Sequence, residues 1–327
     1  GTEAEAQDQS SIRGLKCDVA MSAFYMLSRV EEIGAEERHQ VDEHGRFKST
    51  FSIAHQYGFL DRPIVNEYAE MIVNIFATLG VELPCKRQGA KLLYTHDVDI
   101  LTFEPIVKAM AGDILKRHNP LSAIGRLKNL FYDEHDTFDA LMTLSEERGQ
   151  KAVFNIMGTH YDYKKSREDN YLRKSAFQRM VDKIVSRGHE LGFHPGYHTV
   201  VDEEQWKKEK EKVEKRLGRP LTEGRQHFLR VSIPKTLEIW EDNGMKKDSS
   251  LGYADKTGFR CGTGCLYHPY DFRKECAMQL IEQPLIVMDA TMDSYERLSE
   301  AEKKERIIMY DSLSKRYDMP VTLLYHN

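Results

Sequence analysis

The chain has 327 residues, 40% of them apolar and 30% charged, with a formal net charge of −5. That length suits one large domain or two unequal ones. The mild acidity argues against a nucleic-acid partner, and no apolar stretch approaches the roughly 18 residues that a membrane span needs. Five cysteines, Cys17, Cys85, Cys261, Cys265 and Cys276, follow neither a disulfide nor a zinc-knuckle spacing and read as free thiols. No signal peptide is visible, Gly1-Thr2-Glu3 reads as a trimmed start, and the cytoplasm is the expected compartment. Nothing in the composition sets an oligomeric state.

In chain order, residues 1–13 are polar and expected to fray. From Asp18, the residues Val19, Met21, Ala23, Phe24, Met26, Leu27 and Val30 recur at helical spacing. Residues 42–62 have little periodicity and read as loop. A helix is predicted from Pro63 to about Leu79, with Ile64, Tyr68, Met71, Ile72, Ile75 and Phe76 on one side and Gly80 as its stop. Residues 1–88 are therefore a mostly helical region without evident chemistry, and residues 89–327 form the second domain.

That second domain alternates. Strands are predicted at 91–96, 152–157, around His194, near 225–230, at 284–289 and at 321–326. Helices are predicted between them at 104–117, 137–148, 174–187, 202–217, 234–243 and 299–316. Such alternation means a mostly parallel α/β sheet; where such a sheet closes into a barrel, the chemistry lies at the C-terminal strand ends. Between Gly252 and Gly264 lies a glycine-rich stretch without P-loop spacing, expected to be a surface loop over the barrel mouth.

Two strand ends stand out. In Thr95-His96-Asp97-Val98-Asp99 an apolar run stops in two acids; in extended backbone, residues two apart share a side. In Gly192-Phe193-His194-Pro195-Gly196-Tyr197-His198 two imidazoles stand four residues apart, on one face if Pro195 starts a helical turn or on a strand-end turn otherwise. Taken singly, the acids could cap a helix and the histidines could be surface residues. Together they suit a divalent transition metal with one position open for water, with zinc as the first choice.

These residues resemble the first two motifs of the polysaccharide deacetylase family, carbohydrate esterase family 4, and the likeness covers about residues 90–327. The resemblance implies a distorted (β/α) barrel, here preceded by the small, mostly helical N-terminal region. Further likenesses follow in the family's order. Gly224-Arg225-Gln226-His227-Phe228 resembles the motif whose arginine holds the base carboxylate, with His227 in place of a proline. Asp248-Ser249-Ser250-Leu251 resembles the motif whose acid orients an imidazole, with Leu251 in place of the aromatic wall of a sugar subsite. Leu323-Leu324-Tyr325-His326 resembles the strand end that carries the catalytic acid.

By that resemblance the chain is expected to remove N-acetyl groups from an amino-sugar glycan. A divalent metal would be held by Asp99, His194 and His198, Asp97 would be the base under the clamp of Arg225, and His326, oriented by Asp248, would be the acid. A backbone N–H near Phe228 would meet the oxyanion. Two other readings stand beside it: a hydrolase of another C–N bond in a cyclic amide on the same fold, and a glycan-binding protein without turnover.

Overall fold

A computed structural model describes residues 18–99, 137–158, 160–162, 165–169, 172 and 175–327. The helix expected at 104–117 and the residues expected to fray lie outside these. In chain order the described elements begin with α1 (Val19–Ser28), α2 (Ile53–Gln56), α3 (Ile64–Thr78), β1 (Lys91–Val98), α4 (Phe138–Glu146) and β2 (Val153–Met157). Next come β3 (His160–Asp162), β4 (Lys165–Asp169), α5 (Ser175–Ser186), β5 (Glu190–His194), α6 (Glu203–Leu217) and β6 (Glu223–Gly224). The last are α7 (Lys235–Asp242), β7 (Lys247–Asp248), β8 (Tyr270–Asp271), β9 (Cys276–Ala277), β10 (Ile281–Glu282), β11 (Leu285–Met288), α8 (Glu300–Tyr317) and β12 (Pro320–Leu324). Parallel strands with helices between them make the class α/β, that of a distorted (β/α) barrel with a mostly helical N-terminal region. No helix among the described residues is long and apolar enough to cross a membrane.

The chain divides into two compact units. One contains residues 93–227 and 324–327. Its strands lie in the order β6-β5-β2-β1. β1 pairs in parallel with β2, and Asp97 stands opposite Asn155; β2 pairs in parallel with β5, and Asn155 stands opposite Gly192. The missing side chain at Gly192 is needed, because a Cβ there would lie 2.1 Å from Asn155 Oδ1. Gly224 faces a tighter limit, since its Cβ would lie 2.0 Å from the Phe193 carbonyl oxygen. Small residues thus let three neighbouring strands approach while a polar side chain sits between them. Apolar Phe154, Ile156, Phe177, Ile184 and Phe193 fill the core around this sheet.

The other unit contains residues up to 92 and residues 228–323. β7 and β10 pair in parallel, and β11 neighbours β12. Met26, Ala35, Phe47, Ala54, Leu60 and Ile64 of the N-terminal region form one apolar cluster with Tyr253. Beside it Arg29 and Arg260 are both buried against Glu32, with Arg260 Nε 2.9 Å from Glu32 Oε1. The glycine-rich stretch is therefore not a surface loop: Leu251, Tyr253, Phe259 and Cys261 are buried, and the backbone at Gly262 accepts from the Val65 N–H at 2.9 Å. Its apolar residues outweigh the freedom of its glycines. Leu251 is fully buried, which removes it as a candidate sugar-facing wall.

The strand expected near 225–230 ends early. Backbone pairing alongside β5 continues as far as the His227 N–H, which donates to the Pro195 carbonyl at 3.3 Å. Phe228 (φ 60°) and Leu229 (φ 54°) are then both left-handed, which no strand accommodates. Neither residue type signals that conformation in the sequence.

Candidate metal centre

The site lies within the unit of residues 93–227 and 324–327 and forms at the ends of β1, β5 and β6. Asp97 is the buried carboxylate. Its Oδ1 accepts from Arg225 Nη1 at 3.0 Å and from Asn155 Nδ2 at 2.7 Å. Arg225 is fully buried and also donates through Nη2 to Thr95 Oγ1 at 2.9 Å. Burial pushes the Asp97 carboxyl up, but Arg225 and the imidazoles of His194 and His326 outweigh it and hold the group below the usual carboxylate range.

Two residues on, Asp99 faces the imidazoles. Its Oδ1 lies 3.2 Å from His194 Nε2 and 3.5 Å from His227 Nδ1, and these two nitrogens are 3.0 Å apart. Burial raises the Asp99 carboxyl, but His227 and His194 bring it well below its ordinary value. The three residues are the group of potential metal ligands found among the described residues.

The tautomer of His194 follows from its other nitrogen. Nδ1 stands 2.6 Å from the Arg225 carbonyl, which can only accept, so Nδ1 carries the hydrogen and Nε2 presents its lone pair to the cluster. Burial disfavours charge on this ring, while Asp97 and Asp99 favour it and raise the group overall. His227 goes the other way: its burial dominates and lowers it.

These donors fit a metal. A tetrahedral zinc with bonds of about 2.0–2.1 Å has its ligand atoms ~3.3 Å apart, and the three observed separations are 3.0, 3.2 and 3.5 Å. An anionic oxygen with two imidazole nitrogens is a zinc-type donor set that leaves a position open.

His198 is exposed on the 3₁₀ turn Tyr197–Val200, its ring packed edge-on against Tyr197 at 5.3 Å. The turn is fixed from beneath: Gln226 Nε2 donates to Thr199 Oγ1 at 2.7 Å, and the Gly196 N–H donates to Glu209 Oε2 at 2.7 Å. His326 stands with Nε2 3.9 Å from Asp99 Oδ2. The chain before it is tied to β1, because the Tyr325 N–H donates to the Thr95 carbonyl at 3.1 Å and His96 Nδ1 lies 2.9 Å from the Tyr325 carbonyl. Asp248 belongs to the other unit, where it is buried, accepts from Ser250 Oγ at 2.5 Å and hydrogen-bonds Glu282.

The structure thus brings together Asp97, Asp99, His194, Arg225 and His326 of the residues singled out in the sequence. It adds His227, Asn155 and Thr95. His227 carried a signal of its own, a histidine two residues after the arginine at the end of a strand that neighbours the His194 strand.

Residues 4–80 match the profile of a family of unknown function, DUF7033. No curated protein matches the chain. Among solved structures, one from Mycobacterium smegmatis, assigned as a polysaccharide deacetylase, is 16% identical with a TM-score of 0.47, covering 75% of this chain and 79% of that one. Another, from Pseudomonas aeruginosa PAO1 and assigned likewise, is 14% identical with a TM-score of 0.43, covering 72% of this chain and 77% of that one.

Proposed function

We propose that the chain is a metal-dependent hydrolase that removes N-acetyl groups from an amino-sugar glycan. The observation that carries this reading is the triangle of Asp99 Oδ1, His194 Nε2 and His227 Nδ1 standing beside a second, clamped carboxylate, Asp97. Asp99 and His194 would hold the ion, His227 would be the third donor by its place in the triangle, and His198, the donor the motif suggests, is the alternative third imidazole. A divalent ion there, zinc by its donor set, supplies Lewis-acid polarisation of the acyl oxygen and acidifies water.

The other roles belong to the protein's own groups. Asp97 is ionised across the working range because Arg225 and the imidazoles hold its carboxyl low. It takes the proton of the attacking water. His326, with Nε2 3.9 Å from Asp99 Oδ2, gives a proton to the departing amine. Asp248, to which the resemblance gives the task of orienting the acid, is bonded within its own unit to Ser250 and Glu282.

Zinc titration of the metal-free protein, with acetate release from N-acetylated chito-oligomers measured at each point, tests the reading. About one ion per chain and metal-dependent acetate release are expected. His227→Ala and His198→Ala measured side by side decide the third ligand, since only the ligand's loss lowers zinc affinity. Metal binding unchanged by His194→Ala would overturn the site.

A further inference from the structure

We propose that the N-terminal region acts on the metal centre through the hairpin Asp42–Phe47, which positions His227 by gripping the turn that follows it. This rests on the reading of His227 as a ligand. It gives a task to a segment inside the stretch matched by the family of unknown function.

The hairpin is rigidly built. Val41 and Phe47 bridge in antiparallel fashion, and Asp42 Oδ1 accepts from the backbone N–H groups of His44 and Arg46, each at 2.9 Å. Asp42 Oδ2 takes Arg46 Nε at 2.7 Å, so the guanidinium is aimed by its own hairpin. Gly45 (φ 72°) supplies the left-handed corner.

Four contacts then reach Phe228–Arg230. The His44 ring packs edge-on against Phe228 with centroids 4.9 Å apart, and Arg230 Nε donates to the His44 carbonyl at 2.6 Å. Arg46 lies over the Phe228 ring, with Nη1 3.5 Å from the Phe228 carbonyl and Nη2 2.6 Å from Tyr295 Oη. Arg46 is 6% exposed, so this guanidinium is structural furniture of the turn and not a surface charge.

The gripped turn needs such support. Phe228 and Leu229 are consecutive left-handed residues without glycine. L-residues disfavour that state, and it persists where the surroundings over-determine it. His227 precedes Phe228 in the chain, so the conformation of Phe228 sets the direction from which His227 is presented. Unlocking the turn lets Phe228 and Leu229 relax toward ordinary angles and turns the imbidazole's backbone away from its partners.

The test uses the full chain, zinc as the probe and three readouts: zinc affinity by competition with a chelator, melting temperature, and amide hydrogen exchange of Phe228–Arg230 in metal-free protein. Arg46→Ala and His44→Ala should each accelerate that exchange and weaken zinc binding by roughly 10–100-fold, the usual effect of losing a supporting partner of a ligand. His44→Phe, which keeps the ring, should retain the parent's affinity. In a His227→Ala background Arg46→Ala should weaken zinc no further, which a general loss of structure would not spare. If Arg46→Ala does not fold, His44→Ala carries the same comparison. Unchanged affinity in both variants, or equal weakening with and without His227, overturns the proposal. If His227→Ala itself binds zinc like the parent, the ligand assignment fails instead, and the exchange data still report whether the hairpin holds the turn.

Discussion

His194 Nε2 and His227 Nδ1 face each other at 3.0 Å inside a buried site, with Asp99 Oδ1 within 3.5 Å of both. Two neutral imidazoles meet at such a distance only with a proton or a cation between them, since two lone pairs repel. The carboxylate favours the cation. A shared hydrogen joins the two rings as an N–H···N bond, and a cation beside Asp99 Oδ1 would meet the same two nitrogens.

The two aspartates should fail differently. Asp97→Asn keeps the shape and the three facing donors, so zinc should stay bound while acetate release falls by roughly 10²–10⁴-fold, as for general-base loss. Asp99→Asn removes the anionic donor, so zinc affinity should fall and excess zinc should restore part of the activity. For the parent, zinc at 100 times its dissociation constant should add about 2.7 kcal/mol of stability, visible as a rise in Tm that Asp99→Asn loses. Metal loss in Asp97→Asn with full occupancy in Asp99→Asn would reverse the two roles.

Acid stability should depend on Glu146. Its bonds to Arg187, His189 and Lys151 take its carboxyl from the ordinary 4.5 down to about 2. A carboxyl lowered in the folded state stabilises above its unfolded value, and that contribution is lost as pH falls through the folded value. Glu146→Gln should therefore melt below the parent at pH 6, and the gap should close between about pH 4.5 and 2. A gap independent of pH would show that packing, not charge, is what Gln disturbs.

Glu282 should act in the opposite sense. Burial, with Asp248 beside it, holds its carboxyl well above the usual range. A raised acid stabilises below its unfolded value and loses that contribution as pH rises. Scanning calorimetry should thus show the parent losing stability as pH rises above about 4.3, the ordinary glutamate value. Glu282→Gln, which keeps a neutral side chain of similar shape, should flatten that slope. An unaltered slope would place the titration elsewhere.

Gly224→Ala should be costly despite its small size. Its Cβ would fall 2.0 Å from the Phe193 carbonyl, so β5 and β6 must part. Overpacking of this kind costs typically about 1–3 kcal/mol. Because Arg225 follows directly, zinc affinity should drop with Tm. A stable variant with parental affinity would mean the strands separate freely.

Much of this was legible in the sequence. Apolar runs ending in Asp97 and His194 announced β1 and β5, because strand ends are where such a fold places its polar residues. His227 is masked in the sequence by its place in the motif, where a histidine in the position of a proline reads as a departure in backbone shape and not as a ring nitrogen. The bend after it was invisible, since Phe228 and Leu229 are poor predictors of left-handed backbone and only tertiary contacts enforce it. The stretch around Gly252–Gly264 misled through its glycines, although Leu251, Tyr253, Phe259 and Cys261 were the better guide to its burial.

The two oxygens of Asp97 are chemically unlike. Oδ1 is engaged twice, by Arg225 and Asn155, while Oδ2 lies toward His194 at 3.9 Å. A proton arriving on Oδ2 disturbs neither bond to Oδ1, so the carboxyl can be loaded and emptied in place. If Asp97 is the base proposed above, the bonds that hold Oδ1 would keep the side chain in place while Oδ2 takes and releases the proton.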